Sequence, residues 1–375
     1  MKRDSDSSTA MRRSAFIFVD NLQVGGFQRL ALDQAYELSD QGYLVKLFVL
    51  SDSRFWDLPN LEEEILHDKN VTIHQVSASR TKQILIFNRY FRLVSDDALI
   101  ISHSLSSTFS LKVLKVISFR KFEINTTIHQ IPRLTHRSQR IKRFVYAQFS
   151  DNLFCFSSAV YADWSTQFGK FGVFVVSNFS KQISVKRNGI YLKRLPPVRR
   201  FLDFNKPRII YLGRLTFWKN AQILLDLAKE LELSNFGFLV IVPNYKAGDL
   251  GKLPDILGSR LRVIAGKTIS DLEVFDGDVH IYPANYGTQV PAIESISLNC
   301  LEMASLGIPS LVTEDGLSTW PELSGSDLIY QVNWNNKSQV VGKILEASSA
   351  RISQEEISSV RSLFDIGNQF KMSLN

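Results

Sequence analysis

Short apolar runs alternate with stretches of helical periodicity along the chain, and this alternation constrains the fold more than any other feature of the sequence. Ser14–Val19 is a continuous apolar run, as expected of a strand in a parallel sheet that is covered on both faces. Gly26–Gln41 then places apolar residues at helical spacing. Further predicted strands are Tyr43–Leu50, Ala98–Ser102, Phe122–Ile128 and Asn152–Phe156, separated by predicted helices at Ser106–Ser118, Thr135–Phe149 and Ala159–Phe168. This order of elements is typical of a doubly wound α/β domain.

The segment Lys193–Lys206 interrupts the alternation, because it contains two adjacent prolines among charges of both signs. Such a composition is typical of a linker between domains. The alternation then restarts, with predicted strands at Arg208–Leu212, Phe236–Val242, Leu261–Ala265, Val279–Tyr282 and Pro309–Val312. Predicted helices follow at Ala221–Leu233, Ser270–Phe275, Ser297–Leu306, Ser338–Glu346 and Gln354–Phe370.

Two such halves predict two Rossmann-like α/β domains that face each other across a cleft, with ligands bound at the carboxyl ends of the strands. The expected organisation is a flexible tail over 1–13, an N-terminal domain over 14–195, a linker over 196–206, a C-terminal domain over 207–353, and a final helix over 354–375 that packs back on the N-terminal domain.

Composition narrows the class of protein. The 375 residues are 45% hydrophobic and 22% charged, which excludes disordered and fibrous chains. The two cysteines, Cys155 and Cys300, are too few for a disulfide framework and favour a reducing compartment. No apolar run is long enough for a membrane helix, and the basic N-terminus lacks the apolar core of a signal peptide. We therefore expect a cytoplasmic protein.

The charge is unevenly distributed along the chain. Residues 1–200 carry 29 Lys and Arg against 17 Asp and Glu, whereas residues 201–375 carry 15 against 20. Residues 101–200 alone carry 17 basic and 3 acidic residues. A positive field of this kind favours an acidic partner, which could be nucleic acid, anionic lipid or a charged substrate. The alternative is that the basic residues only keep the protein soluble.

Two glycine-containing segments follow predicted strands. The pair Gly25 and Gly26 lies between the first strand and its helix, where glycine lets the backbone approach a ligand and leaves helix amides available. A tight turn explains the pair equally well, and no G-x-G-x-x-G pattern is present to indicate dinucleotide binding. After the strand at 208–212, Gly213 is followed by Arg214 and Lys219, two cations suited to a diphosphate or to a solvated loop edge.

A third segment contains two glutamates eight residues apart, Glu294 and Glu302. Ser295 and Ser297 between them are candidate helix caps, and amides at this position suit a sugar or a phosphate. Glu302 falls inside an apolar helix, where a carboxylate is costly unless it has a partner such as a sugar hydroxyl.

Taken in order, these segments resemble the retaining nucleotide-sugar glycosyltransferases of family 4, which have the GT-B fold. The similar segments are Gly25–Arg29 (GG-x-x-R), Thr127–His129, Val176–Asn178, Gly213–Lys219 (G-R followed by a lysine five residues on), Glu294–Glu302 (two glutamates with seven residues between) and Leu301–Pro309. The resemblance covers roughly residues 16–370.

The resemblance implies a role for each matching position. Gly25 and Gly26 would approach the donor phosphate, Arg214 and Lys219 would hold the diphosphate and stabilise its leaving charge, Glu302 would bind the nucleotide ribose, Glu294 would bind the transferred sugar with the Ile296 and Ser297 amides nearby, and His129 would lie near the reacting centre. The family is hexosyltransferase-like and needs no metal, so the only expected small molecule is the nucleotide sugar, as donor substrate.

The resemblance also gives the basic half of the chain an interpretation. In the GT-B fold the N-terminal domain binds the acceptor. The segment 131–149 has no acidic residue, an apolar face, and five cations, Arg133, Arg137, Arg140, Lys142 and Arg143. Such a helix suits the surface of an anionic membrane, although a solvated helix face is the alternative. We therefore expect a glycan or lipid-linked acceptor and peripheral association with the inner face of the cell membrane.

Other functions stay open on sequence grounds. A nucleotide-sugar epimerase, a hydrolase or a non-catalytic GT-B subunit would use the same fold. A nucleic-acid binder would explain the basic half, but it has no use for Glu294 and Glu302, and the sequence shows no known nucleic-acid module. We therefore expect no nucleic acid partner.

Overall fold

The computed structural model contains fifteen strands and eight α-helices in the part of the chain that it describes. The described residues are 13–22, 26–50, 70–76, 79–92, 98–128, 145–147, 149–155, 160–162, 164, 166, 182–185, 189–195, 200–201, 207–213, 215, 222–242, 248–265, 269, 272–283, 297–313, 317 and 320–368. The chain divides into two compact units. The first comprises Met1–Trp56, Asn60–Cys155 and Asp163–Ser184, and the second comprises Asp57–Pro59, Phe156–Ala162 and Val185–Asn375.

The first unit is built on a seven-stranded sheet. Its elements are β1 (Ser14–Val19), α1 (Gly26–Asp40), β2 (Leu44–Val49), β3 (Val71–Gln75), α2 (Arg80–Phe91), β4 (Leu99–Ser102), α3 (Leu105–Ile117), β5 (Ile124–Ile128), β6 (Asn152–Cys155) and β7 (Gln182–Val185). The strand order is β3-β2-β1-β4-β5-β6-β7, and the pairs from β3 through β6 are parallel. Strand β1 is central and almost wholly buried, which explains why its sequence is a continuous apolar run.

The second unit is built on a six-stranded parallel sheet. Its elements are β8 (Arg200–Phe201), β9 (Arg208–Leu212), α4 (Gln222–Leu227), β10 (Gly237–Val242), α5 (Leu253–Leu257), β11 (Leu261–Ala265), β12 (Val274–Phe275), β13 (Val279–Ile281), α6 (Leu298–Ser305), β14 (Ser310–Thr313), β15 (Ile329–Val332), α7 (Lys337–Ser349) and α8 (Gln354–Phe364). The strand order is β11-β10-β9-β13-β14-β15, and β8 pairs separately with β12.

Both sheets therefore have the doubly wound α/β architecture that the alternation predicts. In the first sheet the chain moves outward from β1 through β2 to β3 and then returns to the other side of β1 with β4. In the second sheet it moves from β9 through β10 to β11 and returns with β13. Each sheet thus has a topological switch point, the position at which open α/β sheets bind ligands.

One predicted helix is wrong. Ser270–Phe275 was expected to be helical, but Val274–Phe275 forms the short strand β12, parallel to β8. The Asp278 carboxylate accepts a hydrogen bond from the Phe275 N–H at 3.0 Å and binds Arg208, so tertiary contacts hold the end of this segment extended. Strand β8 itself lies inside the segment 193–206 that was predicted as a linker.

The final helix begins at Gln354, as predicted, and its described part packs against α6 of the second unit. The predicted domain boundaries, and the contact of the final helix with the N-terminal domain, stay predictions. Residues 1–12 of the predicted tail lie outside the described residues. Within the described part of the chain, no helix is both long enough and apolar enough to cross a bilayer.

Candidate functional site

The switch point of the first sheet carries a cluster of polar side chains. Asp20 follows β1 directly and is exposed, and Ser104 is the N-cap of α3, which follows the neighbouring strand β4. The Ser104 hydroxyl donates to the Asp20 carboxylate at 2.5 Å, and the Ser106 hydroxyl lies 3.5 Å from the same oxygen. Because both strands end at this edge, a carboxylate and two hydroxyls meet where a doubly wound sheet is open to a ligand.

A histidine next to this cluster, His103, is bound by a side chain of α1. His103 is buried, its backbone N–H donates to the Phe18 carbonyl at 2.8 Å, and its Nε2 lies 2.7 Å from Oε1 of Gln34 in α1. The ring is therefore fixed against α1. Sequence reasoning did not single out His103, Ser104 or Asp20, although each directly follows a strongly predicted strand.

A network of buried hydroxyl groups forms hydrogen bonds to the first turn of α3. The Ser102 hydroxyl donates to the Ser104 carbonyl at 2.7 Å, and it lies 2.7 Å from the Ser107 hydroxyl and 3.1 Å from that of Thr108. The network continues through contacts of 3.0 Å and 2.7 Å to Thr126 of β5 and to Ser150. All five of these side chains have no exposed surface, so the network is a fully buried polar support for the cap. The members are Ser102, Ser107, Thr108, Thr126 and Ser150.

The switch point of the second sheet lies between β9 and β13. Strand β9 ends at Leu212, and the following Gly213 has a φ of +148°, a conformation that side chains other than glycine rarely adopt. The Asn299 amide, in the first turn of α6, donates to the Leu212 carbonyl at 2.9 Å. The sequence predicts that Gly213 and the segment Glu294–Glu302 belong to one site. The structure brings Gly213 close to the start of α6, which lies in that segment.

Ser297 caps this helix, as predicted. Its side chain accepts from the Cys300 N–H at 3.3 Å, and it satisfies one of the amides that every helix N-terminus leaves unpaired. The remaining amides of the first turn lie at the carboxyl edge of the sheet. They are suited to an anion or to sugar oxygens, as the sequence predicts for this segment.

Glu302 lies in the same helix and is completely buried among apolar neighbours, including Leu301 and Met303. It is three residues from Asn299, so the two side chains share one helix face. A carboxylate so removed from water is costly unless polar groups receive it. The expected role of Glu302, binding the nucleotide ribose, stays a prediction.

The structure describes only part of the predicted site. Gly26 is the first residue of α1, and Ser297 and Glu302 lie in or at α6. The other predicted positions lie outside the described residues, so their roles stay predictions. They are Gly25, His129, Arg133, Arg137, Arg140, Lys142, Arg143, Arg214, Lys219, Glu294, Ser295 and Ile296.

Two buried carboxylates lie away from both switch points and have shifted pKa values. Burial opposes ionisation of Asp151, but hydrogen bonds from Lys115 and the Ile124 N–H, together with the charges of Lys115 and Lys112, outweigh burial and lower its pKa. Burial raises the pKa of Asp278, and Arg208 offsets only part of that effect. Both directly precede strands, Asp151 before β6 and Asp278 before β13, at the amino edges of their sheets.

The cysteines and the possible metal ligands add no further site. Cys155 and Cys300 are buried free thiols, and burial raises the pKa of Cys155 to about 12, which keeps it protonated. Among the described residues, no group of three or more His, Cys, Asp and Glu side chains is placed to hold a metal ion.

Comparison with known proteins shows the fold. No family model matches the chain, and no curated protein matches it. Among solved structures, the lipopolysaccharide outer core galactosyltransferase WaaB in its apo form is 16% identical with a TM-score of 0.61, over 96% of this chain and 99% of WaaB. A glycosyltransferase from Rickettsia africae is 13% identical with a TM-score of 0.68, over 97% of each chain.

HepE from Anabaena matches in two complexes. The complex with UDP is 13% identical with a TM-score of 0.66, and the complex with UDP-glucose is 12% identical with a TM-score of 0.64; each match covers 96% of this chain and 99% of HepE. At these identities the likeness concerns architecture alone. With two doubly wound sheets in the order described above, the chain has the two-domain α/β architecture of the GT-B fold.

Proposed function

We propose that the protein is a retaining, metal-independent glycosyltransferase of the family 4 type. It transfers a sugar from a nucleoside diphosphate sugar to a lipid-linked cell-surface glycan. The observation that carries the proposal is the contact between Asn299 and the Leu212 carbonyl. It joins the end of β9, where Gly213 leads to Arg214 and Lys219, to the helix that bears Glu302.

This arrangement supports donor binding by the second unit. Gly213 lies at the carboxyl edge of the second sheet, and Arg214 and Lys219 follow it in the sequence by one and six residues. In the proposed site they pair with the diphosphate, Glu302 accepts from the ribose hydroxyls, and Glu294 accepts from the transferred sugar. The amides at Ile296 and Ser297 supply donors beside it. The matches to HepE in complex with UDP and with UDP-glucose favour a nucleotide sugar as the donor class.

The first unit supports an acceptor role. Asp20 is exposed at the first switch point and already accepts a hydroxyl hydrogen bond from Ser104, so it is suited to accept others from a sugar. Gly26 begins α1 and Gly25 directly precedes it in the sequence, and in the proposed complex both approach the donor phosphate. His129 directly follows β5 in the sequence, and in the proposal it acts near the transferred sugar. The acid-free segment 131–149 then contacts an anionic bilayer that holds the acceptor lipid.

The proposed reaction needs no protein nucleophile. The bond between the anomeric carbon and the diphosphate oxygen breaks while the acceptor oxygen bonds to the same face of that carbon. The departing diphosphate oxygen takes the proton of the acceptor hydroxyl. Arg214 and Lys219 stabilise the charge that develops on the diphosphate, and such preorganised cations act most strongly where water is excluded.

A donor screen followed by product analysis tests the proposal. Thermal unfolding is measured with UDP-, GDP- and dTDP-sugars, because a ligand bound only by the folded state raises the unfolding temperature. The stabilising donor is then incubated with lipid-linked glycan, and the anomeric configuration of the product is read by NMR. A product with the donor's configuration supports the proposal. Isomerised donor without transfer indicates an epimerase, and stabilisation by no nucleotide sugar contradicts donor binding.

A further inference from the structure

Helix α3 (Leu105–Ile117) ends in a group of apolar side chains that project into solvent. Val116 is 63% exposed, Ile117 is 65% exposed, and Phe119, two residues beyond the helix, is 92% exposed. We call these three residues the apolar tip. Other exposed large apolar side chains among the described residues include Leu85 and Leu231, but in the apolar tip three lie within four consecutive positions.

Phe119 is held in a conformation that phenylalanine rarely adopts. Its φ is +54°, and it is the one described residue other than glycine with a positive φ. The Phe119 N–H points to the Val116 carbonyl at 3.4 Å, and the Arg120 N–H donates to the Lys115 carbonyl at 3.2 Å. This is the left-handed ending of a helix, at which glycine is the usual residue because a side chain adds strain.

The backbone strain at Phe119 is not offset by packing of its ring, and this points to a function for the side chain. A buried phenylalanine could offset a strained backbone by removing apolar surface from water, but a ring that is 92% exposed cannot. Residues held in sparsely populated backbone regions are concentrated at functional positions. Glycine would serve the fold better at position 119, so the side chain itself is the feature that needs a function.

The cations around the apolar tip indicate the sign of its partner. Arg120 and Lys121 follow Phe119 in the chain, and the Arg120 guanidinium donates to the Arg92 carbonyl at 3.4 Å, which brings the end of α2 beside the end of α3. Arg89 lies in the last turn of α2 and is exposed. The tip is therefore bordered by four cations, and its partner is expected to be anionic.

Acidic groups near the apolar tip are few among the described residues. Asp151 is paired with Lys112 and Lys115 at 3.3 Å and 2.7 Å, so its negative charge is offset and the group as a whole stays positive. Glu123 is exposed and accepts from the Asn152 amide at 3.3 Å. Asp96 and Asp97 follow α2 in the sequence and lie outside the described residues.

We infer that the apolar tip inserts into the surface of an anionic lipid bilayer, with Arg92, Arg120 and Lys121 against the lipid headgroups. Projecting apolar side chains bordered by cations combine the two attractions that peripheral membrane contacts use, burial in the acyl boundary and attraction to anionic lipid. A second copy of the chain is disfavoured as the partner, because it would bring the same cations face to face.

The position of the apolar tip leaves the first switch point open. Lys115, near the end of α3, binds Asp151, whose carboxylate accepts from the N–H of Ile124, the first residue of β5. The tip therefore lies at the amino edge of the sheet. Ser104, at the other end of the helix, contacts Asp20 at the carboxyl edge, roughly 20 Å away for a helix of 13 residues. The apolar tip consists of other residues than the 131–149 segment, whose Tyr146 and Phe149 contact Phe109 nearer the start of α3. The inference does not depend on the proposed sugar transfer.

Sedimentation with vesicles tests the inference without any activity assay. The whole protein is mixed with vesicles of phosphatidylcholine alone or of phosphatidylcholine with phosphatidylglycerol. Wild type should bind the anionic vesicles more tightly, and Phe119→Gly should lower that affinity about tenfold, the loss expected when an inserted aromatic ring is removed. Because glycine suits the left-handed position, the same variant should unfold at the wild-type temperature or above it. Ile117→Ser should weaken binding in the same direction, and Lys121→Glu should weaken it most at low salt.

Matched control variants lie in the second unit. Leu231 is 85% exposed and Arg262 is exposed, so Leu231→Ser and Arg262→Glu remove the same kinds of group elsewhere and should leave vesicle binding unchanged. Wild-type affinity in both Phe119→Gly and Ile117→Ser overturns the inference. So does a lower unfolding temperature of Phe119→Gly, which would give the ring a structural role. A change of Phe119→Gly from dimer to monomer in sedimentation velocity, with vesicle binding intact, would identify a second copy as the partner instead.

Discussion

The two sheets have the same strand order around their switch points, but different side chains fill their cores. The first core is rich in aromatic rings, and Phe16, Phe18 and Phe48 stack with centroids 4.9 to 6.1 Å apart. The core of the second unit consists mostly of leucine, isoleucine and valine, among them Ile209, Leu224 and Val240. The same strand order is thus compatible with an aromatic core and with an aliphatic core, because both sequences place apolar residues at the spacing of buried strands and helices.

The two switch points differ in a way that bears on function. In the first sheet an exposed carboxylate, Asp20, contacts the hydroxyl of Ser104. In the second, the carboxylate of Glu302 is fully buried in a helix that Asn299 ties to the end of β9. In the proposed reaction, the exposed polar edge of the first sheet would receive the acceptor. A desolvated carboxylate suits a small donor that is recognised tightly.

The largest expected effect tests the difference in charge between the two halves of the chain. Replacing Arg137, Arg140 and Arg143 together by glutamate should remove the contribution of the 131–149 segment to the binding of anionic vesicles, so that only binding through the apolar tip is left. Each cation near an anionic surface contributes about 1 kcal/mol, so reversing three should weaken binding by several kcal/mol. Vesicle sedimentation at two salt concentrations measures this. Equal pelleting of wild type and variant would show that the basic segment serves solubility or a soluble acidic acceptor.

The second prediction concerns the cations that follow β9. Arg214→Ala and Lys219→Ala should each lower turnover by about 10²-fold or more without unfolding the protein, the loss expected for a group that stabilises transition-state charge. Arg262→Ala, on the exposed edge strand β11 of the same sheet, is the control and should keep full activity. Steady-state kinetics measures turnover, and circular dichroism checks that each variant is folded. Wild-type turnover in both Arg214→Ala and Lys219→Ala would contradict the proposal that these residues bind the diphosphate.

How far these features could be predicted depends on where each residue obtains its contacts. Ser14–Val19 and Arg208–Leu212 were predicted to the residue, because an apolar run is an intrinsic signal of a buried strand. The bounds of Leu261–Ala265 were also predicted, although this strand lies at an edge and is partly exposed. The edge strand Val71–Gln75 was missed, since its half-exposed residues include polar ones that break the run. Val274–Phe275 was mispredicted because it is held extended by strand β8, which is far away in the sequence.

The candidate site shows the same division. The cap at Ser297 was predictable, because capping depends on a side chain and amides a few residues away. The bond from Asn299 to the Leu212 carbonyl was not, because its acceptor lies 87 residues away and is a backbone group that no sequence pattern marks. The buried hydroxyls around Ser102 and Thr126 were missed for a related reason, since serine and threonine more often signal exposure than a buried polar core.

The third prediction separates the two glutamates of the second unit. Glu302→Ala should weaken binding of the free nucleoside diphosphate about tenfold, because contacts to the ribose are lost. Glu294→Ala should affect the intact sugar donor more than the free nucleotide. Glu302→Gln keeps the volume of the buried side chain and controls for a packing defect. Calorimetry that gives the reverse ranking would mean that the two roles are exchanged.

The smallest expected effect concerns one buried carboxylate in each unit. Asp151 directly precedes β6 and is held by two lysines and a backbone N–H, whereas Asp278 directly precedes β13 and is held by both Nε and Nη2 of Arg208. Their pKa values move in opposite directions, that of Asp151 down and that of Asp278 up. Acid should therefore affect the two units differently.

The sign follows from proton linkage. A lowered folded-state pKa means that unfolded Asp151 binds protons first on acidification, so its stabilisation is complete above its ordinary pKa of 3.8 and is lost below it, as pH falls through the folded-state pKa. A raised pKa gives Asp278 the opposite slope above 3.8. Asp151→Asn should thus make the unfolding free energy depend less steeply on pH in the acid range, and Asp278→Asn should not. Urea unfolding at a series of pH values measures both slopes. An Asp151→Asn curve parallel to wild type would show that the lysines do not hold its charge.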